Sequence, residues 1–574
     1  MSEKEILKRE TRFVFHLPKN DYRDADYHYV KEQVTFKDNT TEPRAFFIKD
    51  YKKRIWCTAN NKRNHKEKKE FEDADNLISR MTTESDLART AAGLLGKPHL
   101  ANNPASIKDE PYIYGYDIPS TSLIKYASLK RNNFVQSFYS VAVLDIETDP
   151  KTDIPIMVTV TMEGKAHCVV ISDFLRKVLK PHEKVRSCID HYLPKYKNLD
   201  YKLEIVDDIV DGLKSIFKTT NEWAPDFLAV WNVDFDMTRI LGVLKLRGVN
   251  PIDVICDQSI PRSLRVCRYK QGMTKRVTAS GVVKPINPSL QWHSLICTAK
   301  FYVIDAMCVY RQLRMAKAEE PSYSLDAILN KKLGTRKLSF EAADKYRGLE
   351  WHLFMQANYP VEYIVYNLYD CLGVEELQAK TKDLKSSLPS FAGITDFMKF
   401  NSQSTKLRDA LFLFGIERNR VIGTAGSVVN DDISTELTDL DDDDDSDDEE
   451  ESLDPSKYKT LPLKGWIQLL PQNRLIPNGL RCLEDYPNVQ TSFRGITCDF
   501  DAKSSYPSCI QVGNVSKETC INEVISIDGL SEEKFRELNL SVCLGNANML
   551  EYLQDMCGLP TLEELDELIK RGEL

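Results

Sequence analysis

Apolar and polar residues alternate around Phe13, Phe15 and Leu17, and again around Phe46 and Ile48, which predicts strands near the start of the chain. Tyr139 to Leu144 is an apolar run that ends in Asp145-Ile146-Glu147. A strand's period of two puts both carboxylates on one face. A further strand over Ile156 to Met162 turns at Glu163-Gly164 and returns through His167 to Ile171, as a meander does. Phe227 to Asp236 reads as another buried strand that delivers an acid at its end. From Tyr363 to Asp370 the spacing is helical, with Tyr366 and Asp370 on one face. Ser404 to Asn419 has the spacing of an amphipathic helix, its apolar stripe being Leu407, Ala410, Leu411, Leu413 and Phe414. Gly495 to Phe500 predicts one more buried strand, and Thr561-Leu562-Glu563-Glu564 opens a helix with a capping box.

Charge supplies the clearest boundary. The net charge is −9, yet Asp441 to Glu451 holds ten acids in eleven residues, so the remainder is near neutral and free to carry a basic groove. Residues 430–457 have little to bury and repel themselves, which predicts a disordered insertion; deletion of Asp441 to Glu451 is expected to leave thermal stability nearly unchanged. The expected organisation is an N-terminal domain over 1–139, a second domain over 140–385, a helical connector over 386–429, the acidic insertion over 430–457 and a final domain over 458–574. No apolar run approaches the roughly 20 residues needed to span a bilayer. The 14 cysteines form no CxxC pair, so reduced thiols in a cytoplasm (the host-cell cytoplasm for a viral protein) are expected. Lys52, Lys53, Arg54, Lys62, Arg63, Lys66, Lys68 and Lys69, with Trp56 nearby, are candidates for backbone contacts with a nucleic acid, set against a plain solvated face.

Two acidic constellations carry chemistry. Asp145, Glu147, Asp236 and Asp370, on three elements, suit two Mg²⁺ or Mn²⁺ ions that activate water for phosphodiester hydrolysis. Asp501-Ala502-Lys503-Ser504-Ser505-Tyr506-Pro507-Ser508 leaves the last predicted strand. Its acid can hold Mg²⁺, the amides around the serines can meet phosphate oxygens, and the Tyr506 ring can pack against a sugar.

In order and context these segments resemble family B DNA polymerases, most of all the branch found in T-even bacteriophages. Asp145-Ile146-Glu147, Asn232-Val233-Asp234-Phe235-Asp236 and Tyr366-Asn367-Leu368-Tyr369-Asp370 resemble the three motifs of the proofreading exonuclease domain. Tyr323-Ser324-Leu325-Asp326, followed by Leu333-Gly334-Thr335-Arg336-Lys337, resembles another segment of that domain. Asp501 to Ser508 resembles palm motif A, Asp-x-x-Ser-Leu-Tyr-Pro-Ser, with Ser505 in place of leucine. Gly513 to Thr519 and Leu544 to Asn548 read much like the residues after motif A in the T-even branch. The resemblance implies an α/β multidomain chain: an N-terminal α+β domain, a ribonuclease-H-like (DnaQ-type) 3′–5′ exonuclease domain and a partial palm. It implies Asp145, Glu147, Asp236 and Asp370 as exonuclease metal ligands or their supports and Tyr366 as the residue orienting water, with Asn232 and Phe235 beside the 3′ end. It also implies Asp501 as a polymerase metal ligand, Ser504 and Ser505 along the triphosphate, and Tyr506 excluding a ribose 2′-OH.

The fingers pattern Lys-x-x-x-Asn-Ser-x-Tyr-Gly, the palm's Asp-Thr-Asp-Ser and the Tyr-x-Gly-Gly/Ala loop are not found in this sequence. One account is therefore the N-terminal subunit of a split DNA polymerase acting in replication on primer-template DNA, single-stranded 3′ ends and deoxynucleoside triphosphates. A second polypeptide then carries the fingers, the second palm carboxylate and the thumb, with a sliding clamp as a further partner and no membrane. The other account is a non-polymerising module that binds single-stranded DNA or RNA and retains the exonuclease fold. Four clustered carboxylates favour an enzyme, since a pure binder gains nothing from placing them near a polyanion.

Overall fold

The Val141–Thr148 strand is apolar on alternate faces, and this splits the molecule into two packed layers around one sheet. Ala142, Leu144 and Ile146 pack with Leu213, Ile216 and Phe217 of helix Ile209–Trp223, and with Met237 and Ile240 of helix Val233–Leu246. Val141 and Val143 point the other way and share a cluster with Leu325, Leu329, Cys371, Val374 and Leu377. Asp145 and Glu147 belong to this second set by register, so they face helix Pro360–Thr381.

The structure, a computed structural model, describes residues 5–65, 69, 71–277, 283–315, 320–424 and 571. The chain divides into two units, Met1–Asp444 and Asp445–Leu574, and the described residues other than Arg571 lie in the first. The acidic insertion, the segment from Asp501 to Ser508 with Ser504, Ser505 and Tyr506, and the terminal helix lie outside the described residues.

Six strands form the central mixed sheet, in the order Asp200–Val206, Lys165–Ile171, Pro155–Met162, Val141–Thr148, Phe227–Val230 and Tyr302–Asp305. Pro155–Met162 runs antiparallel to both of its neighbours, and the other pairs are parallel. The meander turns where expected: Glu163 and Gly164 take φ of 48° and 82°, the left-handed pair that a two-residue hairpin needs. Helix Ile209–Trp223 comes so close to the sheet that a Cβ at Gly212 would stand 2.4 Å from Val169 Cγ1. The strand near Phe227 is shorter than the sequence pattern predicts. It ends at Val230, and Asp234 and Asp236 lie in the first turn of the next helix, where the N-terminal dipole favours acids. Among the described residues no helix is long and apolar enough to cross a membrane.

The N-terminal region contributes a three-stranded antiparallel sheet, Ile6–Leu17, Tyr27–Phe36 and Thr41–Lys49. Its Phe13, Phe15 and Tyr29 pack against Tyr139, Phe227, Tyr302 and Phe397 at the central sheet. A buried charge cluster pins the same junction. Lys31 Nζ lies 3.1 Å from Asp226 Oδ1 and donates to the carbonyls of Ala224 and Pro225, while Arg12 Nε stands 3.6 Å from Asp226 Oδ2. Burial pushes the Lys31 ammonium down to about 8, with Asp226 working in the opposite direction. Lys31→Ala removes the ammonium partner of this buried carboxylate and leaves it the Ser140 amide and hydroxyl and the Arg12 guanidinium, so calorimetry is expected to show a loss of about 3 kcal/mol. Asp226→Asn in the same chain should restore part of it.

Two expectations need correction. Within the basic stretch, Lys53, Arg63 and Lys69 are engaged by the protein itself, whereas Lys52, Arg54 and Lys62 are exposed and Lys66 and Lys68 lie outside the described residues. Lys53 is buried and donates to the carbonyls of Tyr116 and Ile118, and Arg63 is held by the carbonyls of Thr58, Leu94 and Leu95. Trp56 is buried beside Tyr114 and Val421, and Lys69 pairs with Glu72 at 2.6 Å. The connector also does more than bridge. After helix Gln403–Ile416, strand Arg420–Ile422 pairs antiparallel with Phe71–Asp73, returning the chain to the N-terminal region. That helix forms as expected but buries a different face. Thr405, Asp409, Phe412 and Gly415 are inside, while Leu407, Leu411 and Phe414 are exposed. Asp409 is satisfied there by the Thr395 hydroxyl at 2.7 Å, and Phe412 joins Trp56, Tyr114 and Ile118. A polar residue with a fixed partner can take a core position, which a count of apolar spacing does not register.

Candidate active site

Helix Pro360–Thr381 presents Tyr363, Tyr366, Asn367 and Asp370 on one stripe, spaced by three and four residues, opposite Asp145 and Glu147. Oxygens of Asp145, Glu147 and Asp370 lie within 4.8 Å of one another. Asn367 Nδ2 donates to Asp145 Oδ2 at 2.6 Å, and the Tyr363 hydroxyl donates to Glu147 Oε2 at 2.5 Å. His352 Nδ1 lies 2.7 Å from that hydroxyl, and Gln356 Nε2 donates to it and to the Thr148 carbonyl. Each acid is therefore held from behind, which fixes its rotamer.

Asp236 approaches from the opposite layer. It is 3% exposed and accepts from the Ile146 amide, the peptide between the two strand acids, at 3.1 Å. Asn232 caps the same helix through the Phe235 amide. Asp305 accepts from the Val233 amide and caps helix Ala306–Gln312 through the Cys308 amide, both at 2.9 Å. Burial pushes Asp305 up to about 6 against those two amides. Phe235 stays 40% exposed, with the Arg239 guanidinium 3.7 Å from its ring centroid. Arg239 is itself anchored on Asp153 at 2.9 Å.

A cation closes the cluster. Lys337 Nζ donates to Asp370 Oδ2 at 2.6 Å and to the Tyr366 hydroxyl at 3.2 Å. The preceding segment is built to deliver it. Ser324 caps helix Leu325–Leu333, Gly334 ends it at φ 73°, and Asp326 reaches back to the Lys337 amide and to Arg336. Burial works against the Lys337 ammonium, and Asp370, with Tyr366 and Asp145, outweighs it and holds the pKa well above the usual lysine range.

One cation does not neutralise four acids. Burial, and then the charges of Asp236, Asp370 and Glu147, drive Asp145 well above the carboxylate range. Burial pushes Glu147 up to about 7 against the Tyr363 hydrogen bond. Asp236 and Asp370 are raised mainly by burial as well. In addition, Asp370 Oδ1 is buried without a hydrogen-bond partner. Hard carboxylate oxygens, mutual repulsion and an unpartnered inward oxygen together fit a divalent cation of the Mg²⁺ or Mn²⁺ kind.

The structure thus brings together Asp145, Glu147, Asp236, Tyr366 and Asp370, and sets Asn232 and Phe235 on the neighbouring helix turn. Asp501, Ser504, Ser505 and Tyr506 lie outside the described residues. Sequence reasoning missed Tyr363 and Asn367, although the spacing that selected Tyr366 and Asp370 also selects them. It quoted Lys337 only as part of a segment, because nothing local places a loop lysine 33 residues upstream of its partner. A scan against protein-family models finds none that matches, and a search of curated proteins returns no significant match.

Proposed function

We propose that this cluster is a two-metal phosphodiesterase centre that removes nucleotides from the 3′ end of single-stranded or frayed DNA. On this reading the chain is a family B DNA polymerase subunit and the domain performs proofreading. One observation carries it: acids from a strand and a helix converge within 4.8 Å, and a fourth is fastened to the amide between the first two. Support also comes from the order of the central sheet, with its single antiparallel strand beside the acid-bearing one, which suits a ribonuclease-H-like domain. Asp145, Glu147, Asp236 and Asp370 would hold the ions. When bound, the ions supply an activated water and stabilise the leaving 3′ oxygen.

The chain's own residues do the rest. The Tyr366 hydroxyl, fixed by Lys337, orients the water by hydrogen bonding. Asn232 holds the helix turn in place, and the exposed Phe235 ring, backed by Arg239, offers a stacking face to the terminal base. The synthetic half of the reading rests on Asp501 to Ser508 and stays with the sequence.

The test is a 5′-labelled single-stranded oligonucleotide incubated with the full chain and Mg²⁺ or Mn²⁺. The label should remain on products that shorten stepwise, and a chelator should stop the shortening. Tight binding with no metal-dependent shortening would favour the non-catalytic binding module instead.

A further inference from the structure

Beside the acids lies a groove of about 1090 Å³, walled by the turn after strand Val141–Thr148, by helix Pro181–Tyr192 and by the junction of helices Gly348–Asn358 and Pro360–Thr381. Ligand sites are typically about 300–1,000 Å³, so this groove has room for a nucleotide. Its chemistry is uneven. Lys151, Lys177 and Lys184 line it, exposed, and none of them makes an ion pair within the described residues. Three acids share these walls: Asp149 accepts from the Lys151 amide, Asp173 faces Arg176 at 3.3 Å, and Glu362 stands at the start of helix Pro360–Thr381, so with Arg176 the cations still outnumber the acids. Phe174, Tyr192 and Tyr359 add ring surface. Unpaired ammonium groups interleaved with aromatic rings meet the two needs of a nucleotide, its phosphate and its base.

The groove also communicates with the acids. Gln356 lines it, and its Nε2 donates to the hydroxyl of Tyr363, which in turn donates to Glu147. We propose that this groove is a second nucleotide-binding site, with Lys177 and Lys184 taking the phosphate and Phe174 and Tyr192 flanking the base. For the origin of its ligand it rests on the phosphodiesterase reading. That ligand is either the nucleoside 5′-monophosphate released by hydrolysis or a nucleotide of a bound single strand.

The experiment measures binding to the full chain in EDTA, so that no turnover occurs. Thymidine 5′-monophosphate is titrated by calorimetry, and a fluorescein-labelled thymidine hexanucleotide by anisotropy. Lys177→Glu with Lys184→Glu reverses two exposed groove charges. Lys214→Glu with Lys218→Glu, on exposed positions of helix Ile209–Trp223, controls for general surface charge. The groove variant should weaken binding by about 10-fold or more and the control by less than about 2-fold. Groove-dependent binding of the monophosphate identifies released product as the ligand, and of the hexanucleotide alone identifies the strand. Absence of binding by both ligands, or equal losses in the two variants, overturns the proposal. Failure of the phosphodiesterase reading shows separately, as missing Mg²⁺-dependent shortening by a chain whose groove still binds.

Discussion

Alanine at both Asp145 and Glu147 is expected to lower Mg²⁺-dependent shortening of single-stranded DNA by about 10³-fold or more. The metal contribution to such a reaction is several kcal/mol of charge stabilisation, and each 1.36 kcal/mol is a factor of about ten. Both residues are donors in the one group of acids whose oxygens converge among the described residues, and Asp370 with Asp236 alone would leave one ion poorly held. The fold should survive. Asn367 and Tyr363 lose acceptors, at a cost of roughly 1–3 kcal/mol each, but relief of repulsion among buried acids offsets much of it. Asp211→Ala, an exposed acid on helix Ile209–Trp223, should leave the rate unchanged and thermal stability nearly so. Full activity of the double variant, in a preparation free of contaminating nucleases, would sink the assignment.

Period-two runs with buried apolar residues on both faces were legible in the sequence because a central strand has few alternatives. Val141 to Thr148 and Pro155 to Ile171 appear where the pattern puts them. Helix Pro360–Thr381 was legible for the matching reason, its functional stripe following helical spacing. What local pattern does not encode is which face a partner will cover. Leu407, Leu411 and Phe414 look like a core stripe, yet the helix is held by Asp409 and Phe412. Lys53 and Arg63 look like a cationic surface, yet backbone carbonyls distant in sequence consume their donors. The same holds within the site: the acids are announced by their own strand and helix, whereas Lys337 acquires its role only through a contact across the fold.

The same cluster that would bind metal should destabilise the metal-free protein as pH rises. Glu147 is raised from the usual 4.5 to about 7, and Asp145, Asp236 and Asp370 are raised too, so the folded state holds protons that the unfolded chain releases. Stability from such groups is complete below their unfolded pKa and is lost as pH climbs through the folded one. For Glu147 alone the loss between about pH 4.5 and pH 8 is roughly 3 kcal/mol. Other groups tilt the curve the other way. Burial pushes His28 down to about 4, so folding it becomes unfavourable below pH 6.5. The cluster is therefore read from a difference. Without metal, Glu147→Gln should match the wild type near pH 4.5 and melt several degrees higher at pH 8, because the amide keeps an acceptor for Tyr363 and drops the charge. Mg²⁺ or Mn²⁺ at about 100 times its dissociation constant should then raise the wild type at pH 8 by about 2.7 kcal/mol. It should do little at pH 4.5, where protons occupy the same oxygens, and little for the variant at either pH. A wild-type melting temperature at pH 8 that ignores both metal and the Glu147 substitution would mean that these acids neither repel one another nor share an ion.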